Sequence, residues 1–276
     1  MLPSYLLSLR EGIEAALIVG IVFGALRQIR REELASSIWA GVLSAVFVSL
    51  ATAVVLTAFG LSLEGEFEPI FEGVTLCLAA AVLTWMIFWM SRNARFLKGE
   101  LEAGVRQAVL TTGARGLFIL AFVAVVREGI ELALFLTAAV FASNPVQTIV
   151  GSLLGLFTAI LLGWSIFATT VKLDLRRFFR VTGVLLVLFA AGLVSLGVHE
   201  FNEVGWIPAL VEHIWDVSAF LSEESLPGQI LKTLFGYNPA PSLTSVIAYI
   251  VYFVTVWLGL RASKQTEKAP TPSQAG

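Results

Sequence analysis

Five residues, Arg10-Glu11-Gly12-Ile13-Glu14, recur letter for letter as Arg127-Glu128-Gly129-Ile130-Glu131. The copies continue as Ala15-Ala16-Leu17 and Leu132-Ala133-Leu134, and each lies near the middle of an apolar stretch. At about 100° per residue, a helix places Arg10, Glu11 and Glu14 on one face, and likewise Arg127, Glu128 and Glu131. Gly12 and Gly129 turn away from that face, where they let a neighbouring helix come close. If the two charged faces meet, four carboxylates and two guanidiniums share one space with a formal surplus of two negative charges. Such a site suits a multivalent cation, with the arginines balancing the acids when it is empty.

Ligand type narrows the cation. An all-oxygen set favours hard ions, whereas copper(I) needs Cys or Met. Cys77 is the lone cysteine, Met86 and Met90 are the internal methionines, and His199 and His213 are the two imidazoles. Ferric iron, ferrous iron, manganese, magnesium and calcium all remain open on chemistry alone. Burying six charges at the centre of a bilayer costs roughly 15–20 kcal/mol on insertion scales. They must therefore meet one another, water or an ion. An ion pair that only pins two helices would not need the second Glu of each copy.

The surrounding chain sets where these charges lie. Of its 276 residues, 57% are hydrophobic and 14% charged, against about 25% charged in soluble domains. Long stretches carry no charge, including 34–63, 73–91, 132–171, 181–198 and 233–260. About 20 apolar residues cross a bilayer as a helix. The sequence predicts an all-α polytopic membrane protein with seven spans, near 4–26, 35–60, 70–91, 115–142, 147–171, 179–199 and 243–261. Ser143-Asn144-Pro145 is a turn signal that divides the longest run. No basic leader and cleavage pattern precedes the first span.

Charge asymmetry orients the spans. The loop after span one holds Arg27, Arg30 and Arg31; that after span three, with the foot of span four, holds Arg92, Arg95, Lys98, Arg106 and Arg115. Lys172, Arg176, Arg177 and Arg180 follow span five, and Arg261, Lys264 and Lys268 follow span seven. Fifteen of the 18 Lys and Arg residues thus fall on one side, which the positive-inside rule makes cytoplasmic. The N-terminus is expected outside and the C-terminus inside. Three spans separate the motif copies, so residues 4–91 and 115–199 are expected to form a 3+3 inverted-topology repeat, a plan that sets transport sites at the bilayer midplane. Span seven lies outside the repeat. The whole of 1–261 reads as one transmembrane permease domain and 262–276 as a disordered cytoplasmic tail. The 200–242 segment mixes Trp206, Trp215 and Phe220 with Glu203, Glu212, Asp216, Glu223 and Glu224, and reads as short amphipathic helices at the outer interface.

Paired Arg-Glu-x-x-Glu motifs in spans one and four of a seven-span chain resemble the oxidase-dependent iron permease family, which includes fungal high-affinity iron permeases and bacterial EfeU-type permeases. The resemblance covers the chain to about residue 261, and Leu83-Thr84-Trp85-Met86 belongs to it. It implies iron import across the plasma membrane, without enzymatic activity or a prosthetic group. Glu11, Glu14, Glu128 and Glu131 would bind the cargo, ferric rather than ferrous iron, while Arg10 and Arg127 balance charge. It also implies periplasmic or extracellular iron-oxidising partners. The short tail points to the inner membrane of a bacterium.

Glu64, Glu66 and Glu68 precede span three, Glu72 begins it, and His199-Glu200 ends span six on the same outer side. They read either as a solvated acidic loop with an interfacial cap or as a vestibule that concentrates cations. His213 and Asp174 read as interfacial and loop residues, and Trp85 and Trp89 as packing or lipid-facing side chains. Net charge −2 and the absence of a basic patch exclude nucleic-acid binding. An intramembrane metallohydrolase would need ligands such as H-E-x-x-H, which the chain lacks. A structural subunit with buried ion pairs and a carrier of another hard divalent ion such as manganese are the remaining alternatives.

Overall fold

The computed structural model describes every residue except 94–95, 169–174, 213, 219, 222–224, 226–227, 229–230, 233–234 and 267–276. Arg95, Lys172, Asp174, His213, Glu223, Glu224 and Lys268 fall outside the described residues. Eight α-helices and one short 3-10 turn form the described fold: α1 (Leu2–Gln28), α2 (Ala35–Leu61), α3 (Phe67–Asn93), α4 (Leu97–Thr111), α5 (Ala114–Ala142), α6 (Pro145–Ala168), α7 (Leu175–Glu203) and α8 (Leu243–Thr266). A helix of 27 residues, such as α2, is about 40 Å long at 1.5 Å per residue, enough to cross a bilayer. Five of the described helical stretches are both long and apolar enough to do so: Glu32–Leu61, Phe67–Met90, Pro145–Ser165, Arg177–Glu203 and Leu243–Arg261. The helices α1 and α5 match them in length but carry the motif charges.

The division at Ser143-Asn144-Pro145 has a local cause. Pro145 begins α6, where a missing N–H costs nothing, and the Asn144 side-chain oxygen accepts from the N–H of Val146 at 2.9 Å. That is an N-cap, which satisfies one of the helix's unpaired donors.

Packing follows an exchange. α1 lies chiefly on α6, and α2 chiefly on α5, while α3 pairs with α7 and α1 also touches α5. Swapping α1, α2 and α3 for α5, α6 and α7 maps this set of partners onto itself. The main core joins α3, α5 and α7 through Leu76, Leu83, Met86, Phe135, Phe189 and Leu193. Ala79, Ala80, Ala138, Ala139 and Ala190 sit among them, and small side chains of this kind let membrane helices approach closely. α8 packs on α7, and Tyr252 shares a 2.7 Å hydrogen bond with Thr84 of α3.

Two helices differ from the sequence expectation. Residues 97–111, read as loop, form the 15-residue helix α4, because Val105 is fully buried against Leu26, Ile38 and Leu117. The segment after α7 mixes turns and bends with helical positions at 228, 231, 232 and 235 among its described residues. Its halves are tied by Ile214 N–H donating to Pro241 and Val217 N–H donating to Pro239. The last helix also runs to Thr266, beyond the expected end at residue 261.

Candidate metal-ion site

The two motif copies meet in the interior. One carboxylate oxygen from each of Glu11, Glu128 and Glu131 lies within 4.8 Å of the others, and all three residues are buried. Glu11 comes from α1 and the other two from α5, so the trio needs both copies. Glu14 is equally buried and lies with Arg127 and Glu128 on the wall of a cavity of about 690 Å³.

The glycines explain the approach. A Cβ on Gly12 would stand 2.6 Å from the Cβ of Ala159 on α6, and one on Gly129 would stand 2.5 Å from the Cβ of Ser49 on α2 and strike its hydroxyl. Real Cβ atoms do not sit so close. Each motif thus uses its glycine to seat the second helix of the opposite half, which leaves its charged face toward the other motif.

Within each copy the arginine takes the glutamate one turn on. Arg10 Nε lies 3.1 Å from Glu14 Oε1, and its Nη1 lies 3.7 Å from Glu11. Arg127 Nε donates to Glu131 Oε1 at 3.0 Å. The copies differ in surroundings. The Arg10 side chain is 2% exposed, whereas that of Arg127 is 39% exposed and stands over the rings of Trp85 and Trp89 on α3. Trp85 and Trp89, expected as packing or lipid-facing side chains, thus also hold this cation, while Trp85 stays 54% exposed.

Both oxygens of Glu11 and Oε2 of Glu128 and of Glu131 are buried without a hydrogen-bond partner. A buried polar atom in that condition is costly, and the close oxygens of Glu11, Glu128 and Glu131 are what a hard cation would satisfy.

The outer acids divide into two groups. Glu64 and Glu66 are exposed in the turn between α2 and α3. Glu68 and Glu72 instead share an electrostatic neighbourhood with Glu200 and Glu203 of α7, opposed by Lys232. Gly73 and Gly197 bring α3 and α7 together there, since a Cβ on either would lie 3.1 Å from the other's carbonyl oxygen. His199 pairs with Glu203 at 3.6 Å, one turn on. Glu203 joins this group, four residues beyond His199 and on the same helix face.

Comparison with known proteins bears on this arrangement. The profile described as the Iron permease FTR1 family matches residues 1–265. The chain is 35% identical over 260 residues to a protein of Escherichia coli O157:H7 named ferrous iron permease EfeU, covering 92% of this chain and 93% of that one. A Yersinia pestis protein of the same name is 34% identical, over 92% of this chain and 91% of its own. The Escherichia coli K12 relative, 35% identical with 92% and 93% covered, is named a putative inactive ferrous iron permease EfeU. No solved structure matches.

Proposed function

Since the chain belongs to the iron permease FTR1 family, and is thus an iron-uptake permease of the membrane rather than an enzyme, we propose that it carries iron through the space shared by its two REGIE motifs. The observation that carries the reading is the meeting of Glu11, Glu128 and Glu131 oxygens within 4.8 Å, with Glu14 beside them. Seven membrane spans, α1 to α3 and α5 to α8, put both motifs at the midplane. Outside N-terminus and inside C-terminus follow from the basic loops, and the plasma membrane, a bacterial inner membrane, is the proposed location. The exchange of helix partners supports an inverted 3+3 repeat, the arrangement that lets one central site face each side in turn.

Glu11, Glu128 and Glu131 bind the cation directly in this reading. Glu14 holds Arg10 and completes the set as the ion moves toward the cavity. Arg10 and Arg127 neutralise part of the charge between passages, which lowers the cost of four buried acids. Ferric iron is the harder ion and the better match to an all-carboxylate set, and an outer-face oxidising partner would supply it, whereas the relatives are named for ferrous iron. Glu68, Glu72 and Glu200, with Glu203, form the approach from outside; Glu64 and Glu66 contribute only field.

The test is uptake of radiolabelled iron into liposomes holding the purified protein, offered as ferric citrate or as ferrous iron with ascorbate, and challenged with excess manganese. Uptake lost in Glu128→Ala and resistant to manganese supports the reading. Wild-type uptake in Glu128→Ala, or full replacement by manganese, defeats it.

A further inference from the structure

The cavity that Glu14 and Glu128 line extends between α1, α3, α4 and α5. Much of its wall is apolar, with Leu17, Ile18, Met90, Leu120 and Val123 among the lining residues. Such a wall offers a hard cation no ligand. An ion leaving the motif carboxylates by this route must find oxygen elsewhere. Outside the motifs, the oxygen-bearing side chains on the wall are Glu100, Gln107, Thr111 and Thr112, all from α4 or its C-cap.

Their spacing puts Glu100, Gln107 and Thr111 on one face of α4, seven and four residues apart. The orientation of that face is fixed from behind, because Val105 is fully buried against α1, α2 and α5. Other α4 charges are engaged away from the cavity: Arg106 donates to Gln28 at the end of α1 at 3.3 Å, and Lys98 lies 3.8 Å from Glu102. Glu100 is exposed and makes no ion pair among the described residues. The hydroxyls of Thr111 and Thr112 donate to the carbonyls of Gln107 and Ala108, which leaves their oxygen lone pairs to accept.

We infer that α4 is the release wall of the permease, and that Glu100 takes the cation from Glu14 and Glu128 as it leaves on the basic, inner side, with Gln107 and Thr111 as oxygen ligands farther along, since Gly104 meets Leu120 and Ala108 meets Gly116 as α4 runs away from the motifs. The inference rests on the transport role of the motifs proposed above. A single wetted carboxylate suits release, since a site on an exit path must bind well enough to accept an ion and weakly enough to lose it.

The experiment uses full-length protein in liposomes and ferrous iron with ascorbate as the probe. Glu100→Gln should lower the maximal uptake rate about tenfold while leaving the half-saturating concentration nearly unchanged, because it removes the attractive charge that follows the motif carboxylates on the way out. Glu100→Asp should restore most of the rate. In a Cys77→Ser background, Gln107→Cys modified from the inner side by a cationic thiol reagent should block uptake, while an anionic reagent of similar size should not. Equal effects of the two reagents, or a wild-type rate in Glu100→Gln, would overturn the inference. Glu128→Gln separates the two claims: if it is inactive while Glu100→Gln matches wild type, the release wall falls and the midplane site stands. If Glu128→Gln transports normally, the midplane site itself falls.

Discussion

The guanidinium of Arg127 lies over the indole of Trp89, 4.8 Å from the ring centroid, and 5.5 Å from that of Trp85. Arg10, its counterpart in the first motif, is enclosed by Glu11 and Glu14. A cation over an aromatic face gains about 0.5–1 kcal/mol when exposed and about 2 when desolvated. The rings therefore help Glu131 hold Arg127 at the cavity edge. Trp89→Leu should slow iron uptake several-fold with normal membrane abundance, and Trp89→Phe should be milder. Uptake equal to wild type in Trp89→Leu would reduce the contact to packing.

Each of Glu11, Glu14, Glu128 and Glu131 is expected to be indispensable. Alanine at any one should abolish uptake while leaving the protein abundant in the membrane. Glu14→Ala is the sharpest case, because Glu14 lies outside the close trio of oxygens. A wild-type rate there would remove it from the transport site.

Lysine keeps the charge of arginine but loses the planar fork that holds two carboxylates in fixed geometry. Arg10→Lys and Arg127→Lys should both impair transport, and Arg10→Lys should be the worse. Arg10 serves two buried acids, and breaking a buried pair costs about 3–5 kcal/mol. Thermal unfolding in detergent alongside uptake measures both effects. Equal midpoints for the two variants would show that burial does not set the difference.

The glycine contacts make a reciprocal prediction. Gly12→Ala forces a Cβ against that of Ala159, and overpacking of this kind costs about 1–3 kcal/mol. Ala159→Gly should recover most of the loss, as Ser49→Gly should for Gly129→Ala. Additive losses in the double variants would mean that the helices yield elsewhere.

At the outer face, Glu72→Gln should raise the iron concentration for half-maximal uptake more than Glu64→Gln does. Glu72 stands with Glu68, Glu200 and Glu203, whereas Glu64 is exposed in a turn and screened by salt. The comparison is run at low and physiological ionic strength. Indistinguishable curves at low salt would leave the acids as a solvated loop.

Much of this site is legible in the chain. Identical motifs show their shared face through helical period alone, the glycines show the side meant for a neighbour, and Asn144-Pro145 marks its own boundary. α4 is harder to read, because Lys98, Glu100, Glu102 and Arg106 look like loop charges when basic residues are counted for topology. Its signal is Leu101, Val105 and Ala108 at helical spacing, of which tertiary partners bury Val105 completely. The stacking of Arg127 on Trp89 has no local signature, since nothing in α3 states which helix it will face. Glu203 is hidden for a simpler reason: the sixth span reads as ending at residue 199, and the helix continues to 203.

The exchange of partners between halves has a consequence for biogenesis. Neither half holds its own nucleus: α1 awaits α6, and α2 awaits α5. During synthesis the first motif therefore enters the membrane with Glu11 still lacking Glu128 and Glu131. A chain stopped after α4 should persist only with an insertase or chaperone attached and be cleared by membrane proteolysis. Supplying 114–276 as a separate polypeptide should rescue it, because assembly then becomes the joining of two incomplete pieces.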